Sequence, residues 1–324
     1  MKTMITNKIL DLIMESNKIA LTFHVSPDGD SIGSTLALYQ GISSLKKDVY
    51  IISKEDIPED FKFLPYAGAI TKSHGEVLDG TELVIVLDCG NFARVNANID
   101  IENKKYIFIN IDHHISNELY GDYNFVDPNA ACMGEIVYQM LKSLDVKISK
   151  DIATCLYTSI LTDTGSFRHS NTTSVTHCVA GDLITTGIDF SSIHRKIFDN
   201  KNFIRFKLYG EVFNDMELIE DEICVMKVTQ EMFKKFNIDS GEDTSDIVSF
   251  GGTMKEVDVT LLLKEKDEEI KISLRSKSKV DVRNVAEKLG GGGHIRAAGA
   301  SVKGKTLEEV KNIAIDLIKK ELMK

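Results

Sequence analysis

The chain has only four prolines, too few for long proline-rich linkers. Its five cysteines (Cys89, Cys132, Cys155, Cys178 and Cys224) are scattered, with no Cys-x-x-Cys pair. That spacing argues against a disulfide framework or a thiolate zinc site and predicts buried thiols in a reducing compartment. No apolar run reaches the length of a membrane span, and the N-terminus has no signal-peptide pattern. A soluble, cytoplasmic protein with no membrane partner is therefore expected. An excess of basic residues is missing as well, since the net charge is −10. Proteins that grip long nucleic acid usually carry a basic face, because phosphate contacts supply much of the affinity. If a phosphate compound is the substrate, a short one is expected.

A chain of 324 residues suits two domains, and its hydrophobic fraction of 43% is ordinary for globular proteins. Helical spacing covers about residues 8–18. Apolar runs follow at 19–23, 48–53, 82–88 and 105–112, while 54–80 is irregular and polar. Strands so uniformly apolar are buried on both sides, which predicts a parallel sheet with helices on both faces. Helices are expected over 130–145, 150–162, 173–186 and 190–219. Beyond 221, short strands (223–228, 256–263, 269–275) alternate with shorter helices, and an amphipathic helix begins near Leu307. The expected fold class is α/β. An N-terminal parallel-sheet domain spans 1–190, a helical connection 191–220, and a smaller α/β domain 221–324.

Chemistry concentrates where apolar runs stop. The first run leads into His24-Val-Ser-Pro-Asp28-Gly-Asp30 and then a helix start. The next ends in Asp88, and another in Asp112-His113-His114. Asp163 lies at a helix–loop corner, Leu161-Thr-Asp163-Thr-Gly165, with Arg168 just beyond. Asp is a good helix cap, so capping is the plain alternative for each carboxylate. In a parallel sheet, however, strand ends converge on the carboxyl edge, where ligands bind. Several aspartates gathered there repel one another unless cations sit between them. Oxygen-rich ligation with imidazoles suits Mn²⁺ or Mg²⁺. There are ligands enough for two metals sharing carboxylates, an arrangement used for in-line displacement at phosphorus.

These motifs, together with Gly-Gly-Gly-His294-x-x-Ala-Ala-Gly299 near the C-terminus, occur in the order seen in the DHH/DHHA1 phosphoesterase superfamily. The sequence resembles that superfamily over nearly its whole length, and within it the stand-alone nano-RNases, the bifunctional oligoribonuclease/pAp phosphatases. The resemblance implies one metal held by His24, Asp28, Asp88 and Asp163, and another by Asp30, Asp88, His113 and Asp163. It implies that His114 contacts the substrate phosphate and that Asp112 orients a neighbouring imidazole. It also implies substrate contacts from Gly291, Gly292, Gly293, His294 and Arg275. Arg168 could clamp a phosphate, with a surface salt bridge as the alternative. Asn91 departs from the family pattern, in which an acidic residue is frequent, but it is not among the implied ligands.

The implied activity is two-metal cleavage of P–O3′ bonds in short RNA oligonucleotides, releasing 5′-mononucleotides, and removal of the 3′-phosphate of pAp to give AMP. Two divalent cations, Mn²⁺ ahead of Mg²⁺, are the implied cofactors, and a homodimer is a possibility taken from the family. The alternatives are a stand-alone cyclic or linear dinucleotide phosphodiesterase (c-di-AMP/pApA), an exopolyphosphatase or pyrophosphatase, and a non-catalytic nucleotide-binding module. The apparently complete ligand set speaks against the last.

Overall fold

Asp-terminated apolar stretches build the first of two units in this computed structural model, which describes residues 2–239, 241 and 244–323. The units are Met1–Asn200 and Lys201–Lys324. In chain order the first contains α1 (Lys2–Glu15), β1 (Lys18–Thr22), α2 (Gly29–Ser44), β2 (Asp48–Ile51), β3 (Leu83–Leu87), β4 (Ile107–Asp112), β5 (Tyr123–Val126), α3 (Met133–Ser143), α4 (Lys150–Asp163), α5 (Ser174–Thr185) and α6 (Phe190–Phe198). Its five strands are all parallel, in the order β2-β1-β3-β4-β5. The order reverses between β1 and β3, so their connections leave in opposite directions and open a crevice at the carboxyl edge. His24, Asp28 and Asp88 lie just past these two strands.

The alternation along the strands divides the core in two. Ile19, Leu21, Leu83, Ile85, Leu87, Ile109 and Ile111 pack with residues of α1–α6. Ala20, Val84, Val86 and Phe108 point the other way, into a smaller cluster with Val95, Ala97, Tyr106 and Tyr120. Helices were expected on both faces, but among the described residues α-helices cover only one. The other is closed by irregular segments and one short 3-10 turn at Phe92–Arg94. An apolar strand face needs a cover, and side chains from loops supply it as well as helices do. The fold class stands, a parallel sheet with helices joined to a second sheet domain. Of the five cysteines, Cys178 is exposed where a buried thiol was expected.

The second unit holds α7 (Phe203–Asn214), β6 (Glu217–Ile219), β7 (Ile223–Val228), α8 (Gln230–Phe236), α9 (Val248–Gly251), β8 (Val259–Lys266), β9 (Glu269–Ser276), α10 (Val282–Lys288), β10 (Gly292–His294), β11 (Ala297–Lys303) and α11 (Leu307–Leu322). Among the described residues its six strands run in the order β10-β11-β9-β8-β7-β6, with only β7 and β8 parallel. The helical run read over 190–219 is two helices, α6 and α7, followed by β6. The break falls where Asn202 caps α7 by accepting from the Arg205 N–H.

Candidate metal centre

Three groups of ligand atoms gather at the carboxyl edge of the parallel sheet, each with its atoms within 4.8 Å of one another. They are His24/Asp28/Asp88, Asp30/His113/Asp163 and Asp88/His113/His114. Asp88 belongs to two of them and is 2% exposed. Its backbone is left-handed (φ +56°), which turns the carboxylate off the end of β3 into the crevice. Asp tolerates that conformation better than most residues with a Cβ. Asp88 Oδ1 is buried with no hydrogen-bond donor, its nearest imidazole nitrogens being His113 Nε2 at 3.4 Å and His114 Nδ1 at 3.6 Å.

Asp28 serves as cap and candidate ligand at once. Its Oδ1 accepts the Asp30 and Ser31 N–H groups at 3.1 and 3.0 Å, opening α2. Its Oδ2 lies 3.7 Å from His24 Nε2, which is 3.5 Å from Asp88 Oδ2. Capping and ligation therefore use different oxygens. Asp30, in the first turn of α2, is 2% exposed. It accepts from Met133 N at 2.9 Å, Gly134 N at 3.4 Å and the Ser159 hydroxyl. The start of α3 and one face of α4 thus fix it in place. His113 Nε2 is 3.6 Å from Asp30 and 3.8 Å from Asp163, the last residue of α4.

Two of the three cluster imidazoles, His24 and His113, have their other nitrogen committed to a main-chain carbonyl. His24 Nδ1 lies 2.9 Å from Val25 O, and His113 Nδ1 lies 3.3 Å from Ala130 O. A carbonyl only accepts, so each Nδ1 carries the proton and each Nε2 is turned toward the carboxylates. Histidines that bind metals are held in this way. Asp112, at the end of β4, accepts from the His113 N–H at 2.8 Å and from His114 Nδ1 at 2.7 Å. Asn117 Nδ2 fills its other oxygen at 2.5 Å.

The electrostatics show what a cation would relieve. Burial, then the charges of Asp88 and Asp163, push the Asp30 carboxyl well above its usual range. Asp163 is raised to about 6, first by burial. Burial disfavours a charged ring at His24 and His113, but the surrounding aspartates overcome it, raising both to about 11. Asp88 is the group held low: its burial is outweighed by His113 and His24. Divalent cations fit the orphaned Asp88 oxygen, the two aimed Nε2 atoms and an oxygen-rich donor set.

Every residue proposed for this edge from the sequence is therefore in one cluster except Arg168, whose Nε donates to the Gly165 carbonyl at 3.0 Å. Three neighbours went unread. Ser159 lies one turn before Asp163, a spacing that puts both on one helix face and could have flagged it. Asn117 and Arg94, whose Nη2 is 3.4 Å from His24 Nδ1, sit in turns that carry no such signal.

In the second unit the glycine run is not a plain loop. Gly292–His294 forms edge strand β10 against β11, with His294 opposite Ala297, which in turn faces Arg275 on β9. Residues directly opposite in antiparallel pairs share a face, so Arg275, Ala297 and His294 line up on one side of the sheet. Gly291 has a packing reason, because a Cβ there would lie 2.0 Å from the Gly299 carbonyl oxygen.

A parallel α/β unit with carboxylates and imidazoles gathered at its switch point, followed by a separate mixed-sheet unit, defines a two-domain metal-centred class. The family models agree. The N-terminal domain of the DHH family matches residues 18–160, and the DHHA1 domain matches 223–322. The chain belongs to the DHH/DHHA1 phosphoesterases. It is 33% identical to the bifunctional oligoribonuclease and PAP phosphatase NrnA of Thermus thermophilus, across 94% of this chain and 90% of that one. It is 28% identical to the Bacillus subtilis protein of the same name, across 92% and 93%. Among solved structures, an exopolyphosphatase-related protein from Bacteroides fragilis superposes with a TM-score of 0.89 at 28% identity, covering 99% of this chain and 97% of that one.

Proposed function

We propose that the chain hydrolyses P–O3′ bonds of short oligoribonucleotides, releasing 5′-mononucleotides, and removes the 3′-phosphate of pAp to give AMP. The observation that carries this reading is the set of three ligand groups meeting around buried Asp88. Its support is a chain-long similarity to proteins named for those two activities. His24, Asp28 and Asp88 would hold one divalent cation, and Asp30, His113 and Asp163 the other, with Asp88 and Asp163 shared; Mn²⁺ is favoured over Mg²⁺. Cations so held supply Lewis acidity toward phosphoryl oxygens and lower the pKa of water.

The protein's own part is positioning. Ser159 and the start of α3 fix Asp30, while Val25 O and Ala130 O fix the two imidazoles. Asp112 holds His114 Nδ1, and His114 Nε2 is the proposed contact to a phosphoryl oxygen. In the second unit, Arg275, His294 and the backbone of Gly291–Gly293 are the proposed nucleotide contacts. Arg168 is a proposed phosphate contact in the first. No helix among the described residues is long and apolar enough to cross a membrane, which is compatible with work in the cytoplasm.

The test is a substrate panel with purified protein in Mn²⁺: a dinucleotide, pAp, cyclic di-AMP and polyphosphate. Turnover of the dinucleotide and of pAp, lost on chelation, is expected. Hydrolysis of polyphosphate alone would instead favour an exopolyphosphatase, the activity for which the Bacteroides fragilis protein is named.

A further inference from the structure

Helix α7 presents an aromatic face that the activity above does not use. Phe203 is 71% and Phe206 58% exposed, whereas Leu208, Tyr209 and Val212 on the opposite side are buried. At about 100° per residue, Phe203, Phe206, Lys207 and Gly210 fall on one stripe of the helix. Lys207 Nζ stands 5.4 Å from the Phe203 ring centroid. Phe206 continues into a ring cluster through Tyr209 at 5.8 Å, and Tyr209 into the half-exposed Phe250 at 5.7 Å.

Two further facts point to a ligand of one chemistry. The first is charge. Residues 201–207 read Lys-Asn-Phe-Ile-Arg-Phe-Lys, three cations and no acid in a chain whose net charge is −10. Asp246 pairs with Lys201 and Arg205, and Glu211 with Lys235, which leaves the stripe itself cationic through Lys207. The second is Gly210. Mid-helix glycine costs about 1 kcal/mol relative to alanine. Nothing lies within 4 Å of where its Cβ would be, so packing does not require it. It leaves a flat floor beside two exposed rings.

We propose that this face is a stacking platform for the bases of single-stranded RNA, with Phe203 and Phe206 as the stacking rings and Lys207 beside them for a phosphate. Aromatic rings interleaved with cations bind single strands of any sequence, because every base offers a π-face. The proposal deepens the oligoribonuclease reading and rests on it. It assigns the longer oligonucleotides a contact that pAp, with its one base, does not need.

The experiment compares wild type with Phe203→Ala/Phe206→Ala and with the conservative Phe203→Tyr/Phe206→Tyr. Hydrolysis of a pentaadenylate and of pAp is measured in Mn²⁺. Binding of a fluorescein-labelled pentaadenylate is measured by anisotropy in chelator. The ratio of kcat/KM for pentaadenylate to that for pAp should fall about tenfold or more in the alanine variant, through KM, and recover with tyrosine. Labelled pentaadenylate should bind the alanine variant more weakly by a similar factor. An unchanged ratio and unchanged binding would overturn the platform. So would a change in oligomer mass without a change in RNA binding, which would make the face a protein interface. Failure of wild type to hydrolyse any oligonucleotide would sink the oligoribonuclease reading instead, and the anisotropy arm would still judge the platform.

Discussion

Asp30 is buried and already accepts from the start of α3 and from the Ser159 hydroxyl, so its position is set before any cation arrives. Removing that hydroxyl loosens a ligand without touching the ligand set. Ser159→Ala should therefore weaken Mn²⁺ binding by about tenfold or more with circular dichroism unchanged. Affinity equal to wild type would take Ser159 out of the site. A second prediction concerns Asp246, which accepts from Tyr209 Oη at 2.5 Å and Arg205 Nη2 at 2.7 Å. Burial raises its pKa, but these partners outweigh burial and hold it below the usual carboxylate value. A folded-state pKa below the unfolded one contributes stability that is present above the unfolded value and lost as pH falls through the folded one. Below about pH 4 the second unit should lose stability that Asp246→Asn does not have to lose. Parallel acid limbs for the two proteins would contradict this. At this scale Asp28, Asp88, Asp112 and His113 were legible because each ends an apolar run or opens a helix. Asn117 and Arg94 were not, because nothing local marks polar residues in turns, and Ser159 was marked only by its spacing one turn before Asp163.

Among the elements, one substitution has opposite expected signs at two helix glycines. A Cβ at Gly33 on α2 would lie 2.5 Å from the Cys155 carbonyl oxygen of α4. Gly33→Ala should force the two helices apart and cost about 1–3 kcal/mol. Gly210→Ala on α7 meets nothing and should stabilise by about 1 kcal/mol. Denaturant midpoints of the two variants check both, and a shared sign would refute the packing described. Strands β1, β3 and β4 were readable as continuous aliphatic runs. Strand β5 was not, because Tyr123–Val126 is four residues long and half-buried throughout. The glycine run hid β10 for a related reason: glycines that let two backbones approach look, in sequence, like a flexible loop.

For the whole molecule, each unit has its own buried clusters, so each is expected to melt as its own cooperative transition. The candidate metal ligands all belong to the first unit. Scanning calorimetry with Mn²⁺ and with chelator should move the transition of that unit alone. At a hundredfold excess over Kd each bound ion contributes about 2.7 kcal/mol to the shift. Equal shifts in both transitions would contradict a centre confined to the first sheet. Two-domain organisation followed from length and from the change of pattern after residue 221. The cover of the parallel sheet's second face did not, since apolar strands record that they are buried and not what buries them.

The most direct measurement is a titration of metal-free protein with Mn²⁺, counting bound ions by their electron paramagnetic resonance signal, for wild type and Asp88→Asn. Two ions per chain are predicted for wild type, with both weakened about tenfold or more when the shared carboxylate is neutralised. No binding by wild type, or binding indifferent to Asp88, would contradict the proposed centre.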